Sequence, residues 1–157
     1  MSVCQDVSRA HMELELNAAR AFAETQGWKL EVIDALKLRA TITAPASDRF
    51  RAETYIFEFS FDDYRELPPL IDAVHPETGE RNTRRCFPSA GKGYFHGGTR
   101  LCAPWSRNAY ATLGGPHSDW AIGDWAANAK YHREIGTILA LLGNLLRDPN
   151  YQGRLEP

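Results

Sequence analysis

Two short runs of alternating residues do most to limit what this chain can fold into. In LKLRATIT, Leu36, Leu38, Ala40 and Ile42 fall on one face, and Lys37, Arg39, Thr41 and Thr43 on the other. In YIFEFSF, Tyr55, Phe57, Phe59 and Phe61 share a face. A period of two marks a half-buried strand, because successive side chains leave the pleat on opposite sides. Between the runs, APASDRFRA (44–52) carries the Pro, Ser and Asp of a turn. The two strands are therefore expected to pair antiparallel. Pro68 and Pro69 follow, and proline cannot serve a central ladder. LIDAV reads as a further short strand, and WKLEVI precedes the first run. The expectation is an antiparallel sheet of about four strands.

Helices are expected at both ends. Val7, Leu14, Ala18, Ala21 and Phe22 fall near one face of an N-terminal helix, and Gly27 sits where it should stop. Near the C-terminus, Tyr131, Ile135, Ile138, Leu142 and Leu145 recur at helical spacing, before Asp148-Pro149-Asn150 stops the run. Gly136 and Gly143 weaken that helix, so close packing must hold it. Residues 76–124 are rich in Gly, Pro, Asn, Ser and aromatics with little periodicity. So long an irregular segment in a small domain is often functional. The class is α+β, with residues 1–157 as one domain.

Composition excludes several functions. Lys plus Arg number 18 and Asp plus Glu 20, so no basic excess points to nucleic acid. No run of eighteen apolar residues could span a bilayer, and the polar, acidic N-terminus does not read as a signal peptide. Cys4, Cys86 and Cys102 form an odd set without CxxC, which argues against a disulfide framework or structural zinc. His11, His75, His117 and His132 lack metal-ligand spacing, so no metal site is expected. A reduced, cytoplasmic protein is the expectation.

Three pieces then form one ordered pattern. LRATITAP...YIFEFSFDDYRELPP resembles the sheet and proline turn of the ubiquitin-conjugating enzyme family. WAANAKYHREIGTILALLGNLLRDPN resembles that family's tryptophan, its following helix and the Asp-Pro-Asn after it. Between them, GGTRLC resembles the family's approach to its active-site cysteine, with one extra residue. The family's His-Pro-Asn triplet is not found ahead of Cys102, where the chain reads KGYFHGGTR. A His75-Pro76 pair lies eleven residues before Cys86, which makes Cys86 a rival nucleophile beside Arg84 and Arg85. The pattern looks like a divergent, prokaryotic-type member.

The resemblance implies a ubiquitin-conjugating-enzyme-like fold with a long active-site loop region. It also implies acyl transfer through a cysteine thioester. Cys102 would take a ubiquitin-like modifier from an activating enzyme and pass it to an amine on a target protein. A free cysteine, with pKa about 8.5, keeps a few per cent thiolate near neutrality, and thiolate is a strong nucleophile. Such a role needs the Cys102 sulfur open to solvent. Gly97, Gly98 and Pro104 would shape the groove for the modifier's tail. His96 and Asn108 are the side-chain candidates for stabilising the oxyanion, with backbone amides near Cys102 as a third option. Asp119 and Asp124 are candidates for orienting the acceptor lysine. Trp125 and Tyr64 read as packing residues. The N-terminal helix, with Glu13 and Glu15, would contact the activating enzyme. No cofactor is implied, since ATP is used by the activating enzyme. A deubiquitinase-type metalloprotease from the same operon, such as an antiphage system, is a further implied partner. Two alternatives stay open. One is a binding module of the same fold that only holds a ubiquitin-like partner. The other is an unrelated thiol hydrolase using Cys102 with His96 or His117.

Overall fold

The alternating runs pair as their periodicity requires. The computed structural model describes residues 3–91 and 93–157. It runs α1 (Gln5–Gln26), β1 (Lys29–Asp34), β2 (Lys37–Ala44), β3 (Glu53–Ser60), β4 (Leu70–Val74), a long irregular segment, α2 (Trp125–Ala129) and α3 (Ile135–Arg147). The four strands form an antiparallel meander in the order β1-β2-β3-β4. Leu38 stands opposite Phe59, Ala40 opposite Phe57 and Ile42 opposite Tyr55. All six are buried, and Ile71 and Ala73 of β4 extend the same face. Burying each large side chain contributes about 1.5–3 kcal/mol. A one-residue slip would turn this whole face to solvent, so the register is firmly set.

The opposite face carries charge. Arg39 bonds Glu58 at 2.6 Å, Arg81 bonds Glu58 at 2.7 Å, and Arg81 reaches Asp72 at 3.0 Å. Burial works to raise the Glu58 carboxyl, but the hydrogen bonds from Arg81 and Arg39 outweigh it and hold the group below the usual range.

α1 and α3 cover the apolar face, and their packing rests on small residues. A methyl group at Gly143 would lie 2.2 Å from the Trp28 ring, so only glycine lets α3 come this close. The same substitution at Gly136 would lie 3.7 Å from Ala19 of α1, at ordinary contact.

The helix α1 presents a different face from the one its apolar spacing predicts. Ser8, Met12, Glu15, Leu16, Ala19 and Ala23 are buried, whereas Leu14 is 75% and Val7 46% exposed. Ala18 and Ala21 are exposed as well, and Phe22 is half-buried. Alanines rather than leucines face inward because α3 is close. Glu15, expected on an outer surface, enters the core because its charge is fully met. Its carboxylate accepts from the Tyr64 hydroxyl (2.7 Å), Arg65 (2.8 Å) and the Ile135 backbone N–H at the start of α3 (2.9 Å). Tyr64 and Trp125 pack beside this cluster, and the Trp125 indole donates to Arg65 O at 3.0 Å.

The C-terminal periodicity is interrupted. α2 ends at Ala129, Lys130 takes a positive φ of 56°, and α3 begins only at Ile135. Tyr131, expected on the inner face, is 85% exposed because it falls in that break. No helix among the described residues is long and apolar enough to cross a membrane.

Candidate active site

The irregular segment is built as a set of hydrogen-bonded turns. Arg107 anchors it to the proline turn. Its backbone N–H donates to Pro69 O at 2.9 Å and its Nε to Pro68 O at 2.9 Å. Asn108 Oδ1 accepts from the Ile71 N–H of β4 and from Ser106 Oγ, each at 3.0 Å. Ahead of this anchor, Leu101, Ala103 and Trp105 are buried, and Cys102 N–H donates to Tyr94 O at 2.6 Å. Beyond it, the chain doubles back. Gly115 N–H donates to Tyr110 O, His117 N–H to Ala109 O, and Ala111 N–H to His117 O. Gly115 permits this return, since a methyl group there would lie 2.2 Å from the Ala109 carbonyl carbon.

This return delivers His117 to Cys102. Sγ and Nε2 are 2.9 Å apart. The imidazole lies flat on the Trp120 ring, with centroids 3.6 Å apart and planes 1° from parallel. Trp120 is braced in turn by an edge contact with buried Tyr110. Asp119 Oδ1 stands 3.9 Å from Nδ1, too far for a hydrogen bond. With the proton on Nδ1, Nε2 accepts from the thiol.

The sulfur is largely covered, where the conjugating-enzyme expectation has it open to solvent. Cys102 is 7% exposed, and His117, a third exposed, caps it. Burial pushes the thiol's pKa up, and Arg100 pulls it down without reversing that. Burial therefore disfavours the thiolate, and the imidazole stands against the sulfur. Arg100 Nη1 donates to Gly114 O, and its buried Nε has no hydrogen-bond partner among the described residues. The guanidinium is the charge that favours the Cys102 thiolate.

The other sequence candidates separate. Cys86 is fully buried, and its thiol donates to Glu80 O at 3.1 Å. Its neighbouring arginines are engaged elsewhere, Arg85 with Glu80 and Arg84 with Glu156. The rival nucleophile of the sequence reading thus lies closed in the core. His75 is also structural, its Nδ1 accepting from the Glu77 and Thr78 backbones. Neither His96 nor Asn108 is hydrogen-bonded to Cys102. His96 is exposed on a turn, and Asn108 spends its carbonyl oxygen on β4. Asp119 faces His117 rather than an open acceptor site, and Asp124 is exposed at the start of α2.

Gly97 and Gly98 line a cavity of about 910 Å³ together with Gly91, Gly93 and Tyr94. Cys102 does not line this cavity and is tied to the lining residue Tyr94 only by the backbone bond described above. Gly98 itself is buried, where a side chain would strike Leu155 at 2.5 Å, so it serves packing rather than an open groove. Pro104 is half-buried and lies apart from the cavity lining. Its carbonyl accepts from the Tyr110 hydroxyl at 2.6 Å.

Sequence reasoning named His117 only as one of two partners in a hydrolase, and it missed Arg100 and Trp120. The available signal was Gly114-Gly115-Pro116 directly before His117, a turn able to reverse the chain. Among the described residues no cluster of three His, Cys, Asp or Glu side chains could hold a metal ion. No protein-family model matches the chain, and a search of curated proteins found no match.

Proposed function

We propose that this protein is a ubiquitin-like-protein conjugating enzyme with a ubiquitin-conjugating-enzyme-like fold, and that Cys102 carries the modifier as a thioester. One observation carries the reading: Cys102 Sγ lies 2.9 Å from His117 Nε2, on the segment between the meander and the C-terminal helices. The order of helix, four strands, cysteine segment and helix supports it further.

The chemistry follows from the residues. His117 takes the Cys102 proton as the sulfur attacks the thioester carbonyl of the charged activating enzyme. The positive charge of Arg100, which already acts on the thiol, would stabilise the tetrahedral oxyanion. The intermediate collapses, the bond to the activating enzyme's sulfur breaks, and that sulfur leaves with the proton held by His117. A second attack, by a nucleophile on the target, regenerates the thiol. The cavity lined by Gly91, Gly93 and Gly97 would hold the upstream part of the modifier's tail, since Cys102 itself does not line it. The exposed face of α1, with Val7 and Leu14, would meet the activating enzyme. The reading implies a cytoplasmic enzyme with an activating enzyme, a modifier, a target and a deubiquitinase-type metalloprotease as partners.

Incubation with a cognate activating enzyme, ATP and its ubiquitin-like modifier should give a reductant-sensitive adduct. The adduct should vanish in Cys102→Ala and persist in Cys86→Ala. The reverse pattern, or none, removes the assignment. A thiol hydrolase is the second reading, favoured by the same Cys–His contact. A peptide vinyl sulfone that labels Cys102 without any activating enzyme, combined with no adduct in the first assay, would select it.

A further inference from the structure

The groups around the sulfur also bear on what receives the acyl chain. This question rests on the reading that Cys102 is an acyl carrier. Amines and hydroxyls make different demands on a site. A neutral lysine amine attacks a thioester directly, and its site must keep it unprotonated or orient it, commonly with a carboxylate. A hydroxyl holds its proton far above neutral pH, so a base must remove that proton as the new bond forms.

The group against the sulfur here is an imidazole. Nε2 of His117 stands 2.9 Å from Sγ, and the ring is held by the Trp120 stack and by backbone bonds to Ala109 and Ala111. The carboxylates stand elsewhere. Asp119 meets the ring at Nδ1, 3.9 Å away on the other nitrogen, and Asp124 is exposed at the start of α2. Once Cys102 is acylated, its own proton is gone and Nε2 is free again. A nucleophile entering at the thioester carbon would place its O–H at that nitrogen. Asp119, 79% exposed, then serves as counter-ion to the imidazolium.

From this arrangement we propose that the acyl chain on Cys102 is passed to a hydroxyl of a serine or threonine side chain, giving an ester, with His117 as general base. The acceptor oxygen forms a bond to the acyl carbon, and its proton moves to Nε2. The C–S bond then breaks, and the thiolate of Cys102 recovers the proton from the imidazolium. No oxidant, metal or further reactant enters the balance.

The test loads full-length protein with a short glycine-terminated peptide as its mercaptoethanesulfonate thioester, removes the excess reagent, and adds Nα-acetyl-threonine amide or Nα-acetyl-lysine amide. Intact-mass spectrometry follows loss of the adduct, and hydroxylamine separates ester from amide products. The expected result is a hydroxylamine-labile threonine product formed faster than the lysine amide. That discharge, followed from equal loaded fractions of each protein, should slow by roughly 100-fold in His117→Gln and in Gly115→Ala, which displaces the imidazole. A loaded protein that discharges only to lysine overturns the proposal and leaves the carrier reading intact. Release to water at one rate with or without threonine also overturns it. Failure of Cys102 to load at all removes the carrier reading itself.

Discussion

Replacing His117 by glutamine gives the most informative single perturbation, because it keeps a polar group of similar reach and removes the base. The geometry sets the expected size. Nε2 stands 2.9 Å from Sγ, within proton-transfer distance, and the Trp120 stack fixes the ring plane. A positioned general base contributes about 10²–10⁴-fold. The lower end applies here, since Asp119 lies 3.9 Å away and is 79% exposed, so it orients the ring only weakly. Without the base, burial leaves the Cys102 thiol with a raised pKa and only Arg100 to oppose that. Thiolate then forms only as pH rises through and beyond the ordinary cysteine range. Iodoacetamide labelling of Cys102, read by peptide mass spectrometry from pH 6 to 10, checks this without needing any partner. His117→Gln should react roughly 100-fold more slowly at pH 7, with the deficit shrinking as pH rises. Rates within about threefold of wild type across the range would refute the base assignment. A faster variant would mean that His117 acts only as a cover.

Other perturbations separate scaffold from chemistry. In the native protein Cys86 should resist the same reagent, since it is fully buried and bonded to Glu80 O, and labelling comparable to Cys102 would contradict its packing role. Gly143→Ala should destabilise by about 1–3 kcal/mol through the clash with Trp28, although alanine is favoured in helices by about 1 kcal/mol, and a raised melting temperature would show that packing does not decide. Glu58 has a depressed carboxyl pKa, so its contribution is present above the unfolded value of about 4.3 and is lost as pH falls through the folded value. Glu58→Gln should therefore flatten the acid limb of a denaturation series, and an unchanged limb would dismiss the Arg39 and Arg81 pairing as its cause.

The sheet was legible in the sequence because alternation over Leu36–Ile42 and Tyr55–Phe61 leaves only one face to bury. The need for close packing at Gly143 was legible too, since a glycine inside a strong helical pattern asks for a reason, and Trp28 supplies it. The inner face of α1 was not. A helix packed closely on another buries alanine, and Glu15 is buried only because Tyr64, Arg65 and Ile135 arrive from distant segments to meet its charge. The break at Lys130 was hidden for a similar reason, because Tyr131 keeps helical spacing without being inside a helix. At the candidate site, Cys102 stood out by its glycine and proline neighbours. The pairing with His117 depends on a chain reversal at Gly114-Gly115, which linear spacing does not reveal. The same reversal explains why the sulfur is capped rather than open.

The central claim is that the sulfur of Cys102 carries an acyl chain. Single-turnover transfer from the charged activating enzyme, quenched in acid and mapped by tandem mass spectrometry, tests it directly. The account predicts one modifier mass joined to the peptide holding Cys102, released by thiol reductant and by hydroxylamine. A modifier joined only elsewhere, or a chain that stays unmodified while the activating enzyme remains charged, would contradict it.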